Sequence, residues 1–183
     1  MKIEWNLPNK LTIFRIVLVP VYVATALYCV NPIWSFAVFA IASLTDMVDG
    51  KIARKYNLIT DFGKFFDPLA DKILVLAAFA VFNELGWASC WYTVIIVSRE
   101  FFVSGIRLVA ASSGEHRVIP AGLLGKLKTA STMVALCAVM VAHSLVAFGA
   151  VGGGGWVSIM TNALMSLCAA LTVASAVPYV RQK

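Results

Sequence analysis

The stretch SLTDMVDGKIARKYNLITDFGKFFDPLADKI, residues 43–73, decides how this chain is read. It gathers five aspartates, Asp46, Asp49, Asp61, Asp67 and Asp71, in a sequence that is 61% hydrophobic and 13% charged. A soluble domain carries about 25% charged residues. So large a deficit over 183 residues points to a membrane protein. The acids therefore stand where charge is expensive, about 2.5–3.5 kcal/mol each at a helix centre even on lenient insertion scales.

Outward from this stretch, apolar runs of the length that crosses a bilayer, about 20 residues, divide the chain into six pieces. They lie at 7–30, 32–55, 61–85, 88–112, 118–147 and 156–180. Asn31-Pro32, Gly86, Gly114 and the glycines 152–155 punctuate them. The expected fold class is all-α, a multi-pass membrane protein of six transmembrane helices forming one domain over residues 1–183. The glycine run reads as a flexible loop, since no P-loop Lys or Ser/Thr follows it.

All fifteen Lys and Arg fall in or toward the side that holds both termini and the loops near 54–62 and 112–118. The opposite connections, near 31, 86 and 148–155, carry none. The positive-inside rule then places the termini and the aspartates in the cytoplasm. The net charge of +6 is not arranged as a basic stripe with interleaved aromatics, which excludes nucleic acid as the expected partner. Cys29, Cys90, Cys137 and Cys168 form no CxxC pair and read as small buried hydrophobes. No cleavage site or transit-peptide character follows the start, so the first span is expected to be retained, in the inner membrane of a bacterium.

On a helix, Asp46, Asp49, Gly50 and Ala53 fall on one face at i, i+3, i+4 and i+7, and Gly63, Asp67 and Asp71 share another at i, i+4 and i+8. A short loop joins the two helices, so the four carboxylates are expected to converge at the mouth of a helical hairpin. Together they repel one another and need protons or cations. Oxygen-only ligands suit Mg2+ or Mn2+. Two such ions can clamp the attacking and leaving oxygens of a phosphoryl displacement. Gly50, Ala53 and Gly63 keep the faces free of bulk for a nucleotide or diphosphate, and Arg54 offers a planar fork to a phosphate. Asp61 is assigned to the loop, paired with a neighbouring lysine. Pro68 marks either a helix start near Asp67 or a kink.

Further along, SREFFVSGIR and VIPAGLLGKLKTAST put Arg99, Arg107, Lys126 and Lys128 at membrane depth, with Glu100, Ser104 and Thr129 nearby. One glutamate does not neutralise four cations, so an anionic ligand is expected. Snorkelling accounts for Arg117, Arg181 and Lys183. His143, far along the fifth span, reads as a packing or interfacial residue.

Asp46, Asp49, Gly50, Ala53, Arg54, Gly63, Asp67 and Asp71 together resemble the signature of the CDP-alcohol phosphotransferase family, DxxDGxxARx(8)GxxxDxxxD, without a departure. The resemblance implies a six-helix membrane enzyme, usually a homodimer, in which an alcohol attacks the diphosphate of a CDP-linked lipid and CMP is released. By that likeness Asp46, Asp49 and Asp67 bind metal and nucleotide, and Asp71 completes the metal site or acts as general base. The opening NLPNKLTIFRIVLVP and the two basic segments resemble the branch that joins CDP-diacylglycerol to sn-glycerol 3-phosphate. This places Asn9 and Thr12 at the CDP-lipid, and Arg15, Arg99, Arg107, Lys126, Lys128 and Thr129 at the acceptor's phosphate. Inositol phosphate, serine and phosphatidylglycerol are the alternative acceptors. A divalent-cation transporter is the rival of another class, but the outer halves of the spans hold little polar beyond Glu84 and His143.

Overall fold

The computed structural model describes residues 6–55, 61–112, 123–152 and 155–177; within its helices the side chains at 8, 47–55, 61–65, 68, 107–112, 123, 124 and 126 lie outside the description. The described residues form six α-helices and no strand: α1 Leu7–Tyr28, α2 Ile33–Lys55, α3 Asp61–Glu84, α4 Cys90–Ser112, α5 Leu123–Ala147 and α6 Gly155–Ala174. At 1.5 Å per residue, the shortest, of 20 residues, is about 30 Å long, the thickness of a bilayer's hydrocarbon core. Three helices are both long and apolar enough to cross a membrane, over Asn9–Tyr28, Leu127–Ala147 and Gly155–Ala174. The protein is an all-α, multi-pass membrane protein.

The helix ends follow local chemistry. The Asn6 side chain accepts from the Asn9 N–H at 3.0 Å and caps α1, with a proline in its first turn. Asn31 Oδ1 accepts from the Ile33 N–H at 2.9 Å and caps α2. After α5, Gly149 takes φ +68°. Its N–H reaches the Val146 carbonyl and that of Ala150 the Leu145 carbonyl, the pair of bonds that closes a helix on a left-handed residue.

Three expectations change. Pro68 lies inside α3, which starts seven residues before it, so it does not begin the helix. Asp61 is the first residue of α3 and not a loop residue. The last helix ends at Ala174, with a turn at 175–176, and positions 178–180 of the expected span lie outside the described residues.

The chain divides into two compact units, 1–85 with 140–153, and 86–139 with 154–183. In the first, α1 packs along both α2 and α3, while α2 and α3 touch each other over much less of their described length. The expected α2–α3 hairpin is therefore bridged by α1. Its core joins Tyr22 to Phe39, ring centroids 5.7 Å apart, and buries Leu74, Phe79 and Phe82. Ala26, Ala42, Ala70 and Ala78 are buried as well, and small residues let helix backbones approach closely. In the second unit α4 packs on α6; Ile96, Val103, Leu136, Val157 and Met165 are buried there.

All four cysteines are free, but only Cys168 is buried. Cys29 and Cys90 are exposed because they stand at helix ends, just after α1 and at the first position of α4.

Candidate active site

In the first unit the polar residues of α1 organise the aspartates. Asn9, Thr12 and Arg15 recur every third position, one side of a helix, and their exposures are 1%, 0% and 0%. A fully buried guanidinium in so apolar a helix needs a counter-charge, because an unpaired buried ion costs several kcal/mol. Arg15 finds it in Asp46 of α2, Nη1 to Oδ1 at 2.6 Å. One turn away, the Thr12 hydroxyl donates to Asp67 Oδ1 of α3 at 2.5 Å. Two of the four signature carboxylates, from two different helices, are thus drawn to one face of α1. Asp71 follows Asp67 by one turn of α3 and is half-buried.

This donor set fits a divalent cation. The bonds from α1 each use one oxygen of Asp46 and of Asp67, and a carboxylate has about four lone-pair sites, so acceptor capacity remains on both. The Asp46 side chain is 45% exposed, which leaves it open to a ligand even while it is paired. Among the described residues no three His, Cys, Asp or Glu side chains gather as a metal group. Asp49, Gly50, Ala53 and Arg54 occupy the last turns of α2, and Gly63 the first turn of α3, with side chains outside the described residues.

In the second unit the basic residues meet a carboxylate. Lys128 of α5, only 8% exposed at its side chain, pairs with Glu100 of α4. Arg99, 11% exposed, reaches the same Glu100 oxygen at 3.3 Å and donates to Ser175 Oγ at 2.8 Å. Ser175 in turn donates to the Thr172 carbonyl at 2.9 Å. One carboxylate thus serves two cations, the buried Lys128 and the half-buried Arg99. Thr129 is exposed, with its hydroxyl on the Gly125 carbonyl of its own helix. Arg107 of α4 and Lys126 of α5 carry side chains outside the described residues.

Ser175 was not legible beforehand, because a serine near the end of an apolar helix has no distinguishing pattern. The pairing of Thr12 and Arg15 with the aspartates had one signal, the three-residue spacing of polar groups in an apolar span. His143 is half-buried on α5.

The chain matches the CDP-alcohol phosphatidyltransferase family over residues 5–174, a range that runs through both units. It is 44% identical to a CDP-diacylglycerol--glycerol-3-phosphate 3-phosphatidyltransferase of Bacillus subtilis, over 77% of this chain and 79% of that protein. An enzyme of the same name from Rickettsia felis is 37% identical over 98% of this chain and 96% of its own length. A probable phosphatidylglycerophosphate synthase of Mycobacterium tuberculosis is 41% identical over 72% of this chain and 64% of its own. The chain belongs to the CDP-alcohol phosphatidyltransferase family.

Proposed function

We propose that this family member transfers the phosphatidyl group of CDP-diacylglycerol to sn-glycerol 3-phosphate, giving phosphatidylglycerol phosphate and CMP. The observation that carries this reading is the drawing of signature carboxylates from α2 and α3 to one buried polar face of α1. The names of the Bacillus and Rickettsia relatives support the choice of acceptor.

The family is generally dependent on divalent metal. Asp46, Asp49, Asp67 and Asp71 are the residues that would hold Mg2+ or Mn2+, two ions being the natural number for four carboxylates. Such ions supply positive charge against the diphosphate. Gly50, Ala53 and Gly63 leave room for the CDP head, and Arg54 binds its phosphate; Asn9, expected beside it, is 1% exposed on the same buried face of α1 as Thr12 and Arg15. Asp71 takes the proton of the acceptor's primary hydroxyl. The hydroxyl oxygen bonds to the phosphorus bearing diacylglycerol, the bond from that phosphorus to the bridging oxygen breaks, and CMP leaves with the electron pair. Arg99, Arg107, Lys126, Lys128 and Thr129 receive the acceptor's own phosphate; the meeting of Arg99 and Lys128 at Glu100 supports that role by bringing two cations from two helices together.

All six helices cross the membrane in this reading. The asymmetry of Lys and Arg supports cytoplasmic termini and a cytoplasmic active site in the inner membrane, and the protein works as a homodimer. The test supplies purified protein with CDP-diacylglycerol, Mg2+ and each acceptor in turn, and measures CMP release and the lipid formed. CMP and phosphatidylglycerol phosphate are expected with sn-glycerol 3-phosphate. Release only with inositol phosphate, serine or phosphatidylglycerol would move the protein to another branch, and no release with any acceptor would end the transferase reading.

A further inference from the structure

We propose that Thr12 and Arg15 are positioning residues of the carboxylate cluster, holding Asp67 and Asp46 in place from α1, and that neither touches the acceptor. The inference rests on the carboxylates being the cation site. It departs from the sequence-based expectation that Thr12 lines the CDP-lipid and Arg15 the acceptor's phosphate.

Burial is the first argument. Both residues have 0% exposure, so neither presents surface to an incoming ligand. The Thr12 hydroxyl donates to Asp67, and the Arg15 guanidinium pairs with Asp46 through Nη1. An acceptor phosphate seeking Arg15 would have to enter a fully buried site and share the guanidinium with a carboxylate already 2.6 Å from it.

Topology is the second. Asp46 and Asp67 lie on different helices whose described residues touch each other little, while α1 packs along both. Without a common support, two carboxylates on two helices have no reason to keep the separation a shared ion or ion pair requires. Thr12 and Arg15 are three positions apart, so their side chains start about 5–6 Å from each other on one rigid helix. That spacing is of the order of the about 3.5–4 Å between paired catalytic cations plus the reach of a ligand. The side of α1 acts as a gauge for the gap between α2 and α3.

Charge is the third. Converging carboxylates repel until cations arrive. Arg15 contributes one fixed positive charge at Asp46, so the cluster keeps its shape before metal binds. Threonine adds direction at Asp67 without adding charge, and thus does not compete with a cation there.

The test compares variants by Mn2+ binding, read by electron paramagnetic resonance titration of purified full-length protein in detergent, together with KM for sn-glycerol 3-phosphate. Partners that orient a metal's ligands typically change metal affinity by about 10–100-fold when removed. Thr12→Ala is expected to weaken Mn2+ binding by about tenfold, and Thr12→Ser to restore it. Arg15→Lys keeps the charge but loses the fork; it is expected to weaken Mn2+ binding likewise while the acceptor's KM stays at the wild-type value. An unchanged Mn2+ affinity with a raised acceptor KM in Arg15→Lys would overturn the proposal, as would Thr12→Ala binding Mn2+ like the wild type. Asp67→Asn is the reference. If it weakens binding while the Thr12 and Arg15 variants do not, only this inference fails; if it too leaves binding unchanged, the cation reading falls and the inference with it.

Discussion

Arg15 and Asp46 form an ion pair whose two ends see different surroundings: the arginine is wholly buried and the aspartate side chain is 45% exposed. The asymmetry leaves Asp46 open to solvent while it serves as the counter-charge of a buried cation.

Asp46→Ala is therefore expected to cost stability as well as activity. Removing one partner of a fully buried pair costs about 3–5 kcal/mol; with one end half in solvent, the loss here is expected at about 2 kcal/mol. Thermal unfolding in detergent measures it. An Asp71→Ala variant, which leaves Asp46 in place to pair with Arg15, provides the comparison.

Asp71→Asn is expected to leave the protein inserted and folded but to lower CMP release by about 10²–10⁴-fold, the usual contribution of a positioned general base. The measurement is the rate at saturating substrates. Turnover within a factor of a few of wild type would remove Asp71 from the proton transfer.

Lys128→Met removes a nearly buried ammonium from Glu100. A charge-assisted hydrogen bond is worth about 1.5–3 kcal/mol, so KM for sn-glycerol 3-phosphate is expected to rise about 10–100-fold while KM for CDP-diacylglycerol holds. Glu100→Gln takes away the internal carboxylate that occupies the same cations and is expected to lower the acceptor's KM. An acceptor KM indifferent to both changes would make the cluster purely structural.

Chelation checks the cation requirement without mutation. Excess EDTA is expected to stop CMP release, and added Mg2+ or Mn2+ to restore it, because unpaired carboxylates have neither the charge nor the coordination to hold a diphosphate. Calcium, with longer bonds and looser geometry, is expected to restore less.

Gly149→Ala tests a purely conformational position. At φ +68°, with no heavy atom within 4 Å of where an alanine methyl would stand, the only penalty is the backbone's. The left-handed conformation costs an L-residue about 1–2 kcal/mol. Gly149→Asn should lose less, since asparagine tolerates that region. Melting temperatures of the two variants order the effect.

Much of this was written in local patterns. The six helices follow from apolar runs and from Asn31, Gly86 and the glycines near 152, because a span's length is set by the bilayer and its ends by backbone chemistry within a few residues. The grouping of Asp46 with Asp49 and of Asp67 with Asp71 follows from the helical period alone. Pro68 was ambiguous for the opposite reason: a lone proline is compatible with a helix start or interior, and packing in a membrane decides which.

What the amino-acid order determined was which residues share a face of one helix; what only the tertiary structure decided was which faces meet. Thr12 and Asp67 are 55 positions apart, and no periodicity links residues that distant. Their bond exists because α1 lies along both helices, and because a buried hydroxyl and a buried guanidinium are costly without acceptors inside an apolar protein. The same demand ties Arg99 to Ser175 across 76 positions. Spacing along a helix is geometry of the backbone and can be counted; the partner across a helix interface is chosen by burial and the need to satisfy charge, which only the folded chain resolves.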